Sequence, residues 1–168
     1  MVEMFVARIA LDVEQGNAMV VLADEPEERL LPIFIGIFEA NAIATELRGV
    51  RPERPMTHDL LASIISELGC RMERVTITTL RENTFYALIT LARDGEKLEI
   101  DARPSDSIAL ALRCDARIFV TDEVLEQAKF RPMPDDEIER FEELMSQVDL
   151  PVEGDEPPLP EEPEEPGE

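Results

Sequence analysis

A chain of 168 residues with a formal charge of −22 is long enough for one domain with a buried core plus an appendage. Residues 1–134 hold 15 basic side chains against 23 acidic ones. That balance excludes a basic stripe of the kind that grips duplex nucleic acid nonspecifically. Two cysteines without a Cys-x-x-Cys spacing and a single histidine exclude a Cys/His zinc site, leaving Cys70 and Cys114 as small buried thiols of a reducing compartment.

Phe5, Ala7, Ile9 and Leu11 alternate and predict a first strand with those four on one face. Gln15-Gly16-Asn17 is a turn signal, followed by strands over 18–23 and 30–35 around a polar loop. A helix is expected over about 38–48, stopped by Gly49. After the loop Arg51-Pro-Glu-Arg-Pro55, Thr57 is the expected cap of a second helix. Its apolar residues Leu60, Leu61, Ile64, Ile65 and Leu68 recur at helical spacing up to Gly69. Strands over 72–80, 85–92 and 97–102 come next, joined at Glu82-Asn83 and Asp94-Gly95. The last of them runs straight into an Ala/Leu helix ending near Arg113. A short strand over 117–120 and a helix over 122–128, capped by Thr121, complete this body.

Ile35 to Arg48 aligns without a gap on Ile100 to Arg113. Ile35/Ile100, Ile43/Ile108, Ala44/Ala109, Leu47/Leu112 and Arg48/Arg113 are identical at a constant offset of 65. The implied fold class is α+β: two tandem β-β-β-α repeats related by a pseudo-twofold, with an extra helix between them and C-terminal helices. The expected domain spans 1–134. Residues 135–149 form an amphipathic helix with Ile138, Phe141, Leu144 and Met145 on one side. Residues 150–168 are a Pro/Glu tail that cannot bury enough apolar surface to offset its ordering entropy, and are expected to be disordered. No stretch has membrane-spanning length and no basic leader precedes an apolar run, so a cytoplasmic protein is expected.

The junction of the second repeat concentrates polar chemistry. Asp101, Arg103, Ser105 and Asp106 lie within six positions, beside a helix N-terminus whose free N–H groups and dipole favour an anion. Strand alternation puts Asp101 and Arg103 on one face, roughly 6–7 Å apart. They can hold a phosphate or a metal; equally, they can form an ion pair beside a capped helix. Glu39 and Asn41 occupy the matching junction of the first repeat. Were the two junctions to face one another, Glu39 would supply a second carboxylate; otherwise it simply favours the helix dipole. His58, the only imidazole, stands at a helix start beside Asp59 and can act either as a general base or in a capping role. No Gly-x-Ser-x-Gly, phosphate loop or paired-histidine motif is present.

Three segments taken together resemble the bifunctional nuclease domain family of bacteria and plants. They are Leu31-Pro-Ile-Phe-Ile-Gly with Glu39-Ala-Asn-Ala-Ile-Ala, Arg54-Pro-Met-Thr-His-Asp-Leu-Leu, and Asp101-Ala-Arg-Pro-Ser-Asp-Ser-Ile-Ala-Leu-Ala. The resemblance covers about residues 4–130 and implies an α+β domain that oligomerises and cleaves both RNA and DNA. Carried onto this chain, its motif positions are Glu39, Asn41, Thr57, His58, Asp59, Asp101, Arg103, Ser105 and Asp106. The expectation that follows is a metal-dependent nuclease of low sequence specificity, acting on single-stranded nucleic acid. Asp101, Asp106 and Glu39 would hold Mg²⁺ or Mn²⁺, His58 would activate water, and Arg103 would stabilise the phosphate, with Asn41 and Ser105 binding substrate. The alternative is a non-catalytic, oligomeric adaptor for a protein or a small anionic ligand, with the same residues as caps and ion pairs.

Overall fold

The computed structural model describes residues 1–12, 17–25 and 29–129. The expected helix over 135–149 and the tail over 150–168 lie outside the described residues. In chain order the elements are β1 (Val2–Asp12), β2 (Asn17–Ala23), β3 (Leu30–Ile35), α1 (Ile37–Leu47), α2 (Thr57–Glu67), β4 (Arg71–Arg81), β5 (Thr84–Arg93), β6 (Glu96–Ala102), α3 (Pro104–Cys114), β7 (Arg117–Val120) and α4 (Asp122–Lys129). The fold is mixed α+β, built on a seven-stranded sheet of order β3-β2-β1-β7-β4-β5-β6. Two antiparallel meanders flank β7, which pairs antiparallel with β1 and parallel with β4.

Turn chemistry sets the second meander. Glu82 and Asn83 have φ of 46° and 62°, and Asp94 and Gly95 have φ of 52° and 83°. Two-residue hairpins need positive φ at both central positions so that the turn matches the strand twist. Asn, Asp and Gly tolerate that region best, hence Asn83 at one corner and Asp94-Gly95 at the other.

The first strand departs from simple alternation. A register shift between Val6 and Arg8 inserts an extra residue, and the side-chain frame slips with it. Met4 and Ile9, five residues apart, therefore both face the core, while Phe5 is half-exposed. For this reason Phe5 and Ile9 do not share the one face expected of them.

The core lies between the sheet and the helices α1 and α3, which pack on each other. Leu22, Leu31, Ile43, Ile77 and Ile108 are fully buried there, with Ala40, Ala44, Ala109 and Ala111 providing small surfaces where the two helices approach, while Met19 is buried in a separate cluster with Ala10 and Val21. Helix α2 behaves differently. Leu60, Leu61, Ile64 and Leu68 stay exposed, and the buried residue of the helix is His58. Helical spacing identifies an apolar stripe but not what covers it; α2 rests mainly on α3, through its Ala62 and Ile65 side.

Two further expectations are corrected at the helix starts. Thr57 is the first residue of α2 rather than its cap. The Asp59 carboxylate caps instead, accepting the Met56 N–H at 2.8 Å. Helices α1 and α3 open at Ile37 and Pro104, 67 residues apart, so the elements correspond at 67 and the identities at 65 fall two residues out of structural step. Under the structural correspondence, Glu39 and Asp106 each hold the third position of their helix.

Candidate functional site

Glu39 and the Arg103/Asp106 pair are presented by strands running directly into helices, whereas His58 opens a helix that follows a loop. At the second junction Pro104 fills the first helical position, where its fixed φ and missing N–H are harmless. Arg103 is thereby left as the N-cap in extended backbone, with φ −69° and ψ 146°. Its carbonyl accepts both the Ser107 N–H at 3.0 Å and the Ser107 hydroxyl at 2.8 Å. Backbone bonds therefore anchor the residue, and its guanidinium is free to act elsewhere. At the first junction Gly36 is the N-cap, and Glu39 folds back over it. A Cβ at Gly36 would lie 2.1 Å from Glu39 Oε2, so any side chain here would have to move the Glu39 carboxylate from its place, though φ sets no such limit.

The two junctions meet through Arg103. Its Nη2 donates to Glu39 Oε1 at 2.8 Å and its Nε to Asp106 Oδ2 at 2.6 Å. The other carboxylate oxygen of Asp106, Oδ1, lies 3.2 Å from His58 Nε2. Residues from α1, α2 and α3 thus form one chain of contacts, Glu39–Arg103–Asp106–His58. The imidazole is nearly buried, with 11% of its side chain accessible, whereas the Arg103 side chain is 65% accessible. Burial by itself would raise the Asp106 carboxyl, but hydrogen bonds from Arg103 and His58 outweigh it and hold the group below the usual carboxylate range. The Arg103 guanidinium is held more firmly protonated by Asp106 and then by Glu39. Asp106 is therefore an ionised acceptor at neutral pH, and its contact with His58 Nε2 is that of a carboxylate receiving an N–H.

A second, more buried pair supports this arrangement. Arg113, on the last turn of α3, has only 6% of its side chain accessible. Its Nε donates to Asp59 Oδ1 at 2.5 Å, Nη1 to the Ala109 carbonyl at 2.8 Å and Nη2 to the Ala42 carbonyl at 3.2 Å. One side chain ties α1, α2 and α3 together one residue away from His58. Asp59 is taken up by Arg113 and by the Met56 N–H, so it does not orient the imidazole. Sequence reasoning missed Arg113; the available signal was a lone base ending the otherwise apolar run Ile108-Ala-Leu-Ala-Leu.

The remaining expected residues divide. Ser105 is buried and lines a cleft of about 420 Å³ beside Arg103, walled by Phe34, Gly36, Asn83 and Phe85. Asn41 is exposed on α1, outside this cleft. Asp101 is exposed on β6 and makes no ion pair with Arg103, whose Nε and Nη2 are taken by Asp106 and Glu39. The described residues contain no group of three His, Cys, Asp or Glu side chains able to hold a metal ion. Glu39 and Asp106 are linked only through the Arg103 guanidinium, which bonds to both carboxylates. As assembled, this donor set does not fit Mg²⁺ or Mn²⁺, which need several oxygen ligands converging on one point.

With this geometry in view, residues 20–133 match the family model of the bifunctional nuclease domain. The chain belongs to the bifunctional nuclease domain family. An uncharacterized protein of Mycobacterium tuberculosis is 39% identical over 158 residues, covering 87% of this chain and 94% of that protein. Bifunctional nuclease 1 of Oryza sativa subsp. japonica is 28% identical over 107 residues, covering 62% of this chain and 32% of the plant protein. Bifunctional nuclease 2 of Arabidopsis thaliana is 26% identical over 107 residues, with the same coverage.

Proposed function

We propose that this chain is a nuclease that hydrolyses phosphodiesters of RNA and DNA with little sequence preference, using the chain of contacts through Asp106. The observation that carries the reading is the double role of that carboxylate: one oxygen holds the exposed Arg103, the other holds the only imidazole of the protein. A phosphate bound at the open edge of Arg103 would lie beside the Asp106–His58 pair. Asp106 receives the Nε2–H of His58, and Nδ1 takes a proton from the attacking water as its oxygen bonds to phosphorus, while the P–O bond to the leaving sugar oxygen breaks and that oxygen is protonated from solvent. Arg103 meets the charge that develops on the phosphoryl oxygens. Mg²⁺ or Mn²⁺ would have to displace Arg103 from between Glu39 and Asp106 to be held there, so the chemistry is assigned to the side chains. Charge directed at phosphate rather than at base edges is the physical basis for low specificity. A cleft of about 420 Å³ suits a single strand's nucleotide better than a duplex.

The test is cleavage of labelled single-stranded RNA and DNA by tag-free protein, with and without EDTA, beside His58→Gln and Asp106→Asn. Loss of a positioned acid–base group lowers rates by roughly 10²–10⁴-fold. Both variants should fall in that range, and EDTA should leave the wild type active. Full activity in His58→Gln would refute the assignment. One observation favours a second reading: Arg103 is already paired on two nitrogens within the chain, as expected of a structural ion network in a non-catalytic adaptor. That reading requires wild type and both variants to be equally inert.

A further inference from the structure

We propose a second, phosphate-binding site at the other end of α3, independent of the cleavage site. A concavity of about 600 Å³ opens there, lined by Arg71, Glu73, Arg74, Lys97, Asp115 and Arg117. It gathers four cations against two carboxylates, in a chain where acids outnumber bases by more than two to one. With a rise of ~1.5 Å per residue, the eleven-residue α3 separates it from Arg103 by roughly 16 Å.

Arg74 is the residue that marks this concavity as a site. Its Nε is buried and has no hydrogen-bond partner, the one such side-chain nitrogen or oxygen among the described residues. A buried guanidinium N–H without an acceptor is expensive, and native proteins leave few of them unexplained. The backbone puts it there through a specific device. A register shift between Met72 and Arg74 interrupts the pairing of β4 with β5. Met72 and Val75, three residues apart, are both buried, and Glu73 and Arg74 are left together outside the core at the concavity. With regular alternation Arg74 would share the inward face of Met72. A bulge that turns one side chain toward a pocket is a recurrent feature of ligand sites.

The neighbouring charges leave Arg74 available. Glu73 receives Lys97 at 2.8 Å and Arg71 at 3.1 Å, and its carboxyl is held below the usual range by Lys97 foremost. Arg117 lies against the face of Phe119 at 5.5 Å from the ring centroid and makes only a loose contact of 3.8 Å with Glu3. Two fork-shaped guanidinium groups are thus presented without a close carboxylate, beside a lysine and a third arginine. Tetrahedral phosphate oxygens are the acceptors that such forks match best. The ligand is a phosphate group, carried either by a small phosphorylated molecule or by the backbone of a polynucleotide.

Calorimetric titration of the full chain with pyrophosphate tests the site. Wild type should bind one pyrophosphate here; Arg74→Gln and Lys97→Gln should each weaken it by about tenfold or more, the loss expected for one charge-assisted hydrogen bond. Arg103→Gln should leave this binding in place. No binding by wild type, unchanged binding by Arg74→Gln, or loss of all binding in Arg103→Gln would each overturn the proposal. Anisotropy of a labelled single-stranded oligonucleotide separates the two sources. Weaker oligonucleotide binding in Arg74→Gln assigns the site to polynucleotide backbone; unchanged oligonucleotide binding with lost pyrophosphate binding assigns it to a small phosphorylated ligand.

Discussion

Replacing Arg113 by methionine removes a buried cation while keeping most of the side-chain volume. The structure sets the size of the effect. Breaking a fully buried ion pair typically costs about 3–5 kcal/mol, but 23% of the Asp59 side chain remains accessible, so water recovers part of that loss. The Ala42 carbonyl, whose Arg113 contact is 3.2 Å, adds on the order of 1 kcal/mol when left unpaired. A total of about 2–4 kcal/mol follows, a large share of the ~5–15 kcal/mol stability usual for a domain. Urea unfolding at pH 7 should show a lower midpoint with an unchanged slope. A double-mutant cycle with Asp59→Asn should return a coupling of about 1–3 kcal/mol. The pH dependence has a definite sign. The hydrogen bond from Arg113 holds the Asp59 carboxyl below its ordinary value. The pair's contribution is therefore complete above the unfolded-state pKa of about 3.9 and is lost as pH falls through the lower folded value. The gap between wild type and variant should narrow only below about pH 4. A difference under about 0.5 kcal/mol at pH 7, or a cycle without coupling, would refute this account of the three-helix tie.

Gly36→Ala places a methyl group against the Glu39 carboxylate, which is the flexible end of a side chain, so stability should change by less than about 1 kcal/mol. Cleavage should nevertheless drop if Glu39 is needed to steady Arg103; unchanged kcat/KM would show that it is not. Thr121→Ala removes the hydroxyl that accepts the Val124 N–H at 3.3 Å and should lower stability by about 0.5–2 kcal/mol in thermal unfolding. Glu39→Gln removes one of two carboxylates neutralising Arg103. It should tighten oligonucleotide binding at low salt by a few-fold, whereas a carboxylate serving as a metal ligand predicts loss of metal-stimulated activity on the same substitution.

The strands were legible because their signals are local. Positive-φ residues at 82–83 and 94–95 fixed two hairpins, and the 30–35 and 117–120 strands coincide with β3 and β7. What failed were properties that depend on distant partners. The bulge at Ala7 answers to β2, and no periodicity within β1 reveals it. The open face of α2 reads as core because spacing reports amphipathicity and not cover. At the site, the polar junctions were visible as Glu39 and the 101–106 run, and their meeting was conditional on the two repeats facing each other. The correct pairing of Arg103 was not legible. An ion pair with its neighbour in the strand, Asp101, is one of the two arrangements the alternation allows, but Pro104 starts the helix at once and the guanidinium pairs with residues 3 and 64 positions away.

The acidity of the chain shapes how any polyanion could bind. Long-range attraction is absent, because residues 1–134 already carry a net charge of −8. Affinity must then come from cations close enough to act within the ~8–10 Å over which physiological salt screens charge. The described residues concentrate such cations at the two ends of α3, with Arg103 at one and Arg71, Arg74, Lys97 and Arg117 at the other. Only Arg103 is held between two carboxylates, so a phosphate arriving there must compete with Glu39 and Asp106 for its donors. Such competition weakens the capture of phosphate at Arg103, for ground state and transition state alike. Phosphate at the opposite end of α3 meets no equivalent competitor at Arg74, whose Nε has no acceptor of its own. The two ends therefore suit different tasks, transient engagement at Arg103 and retention at Arg74.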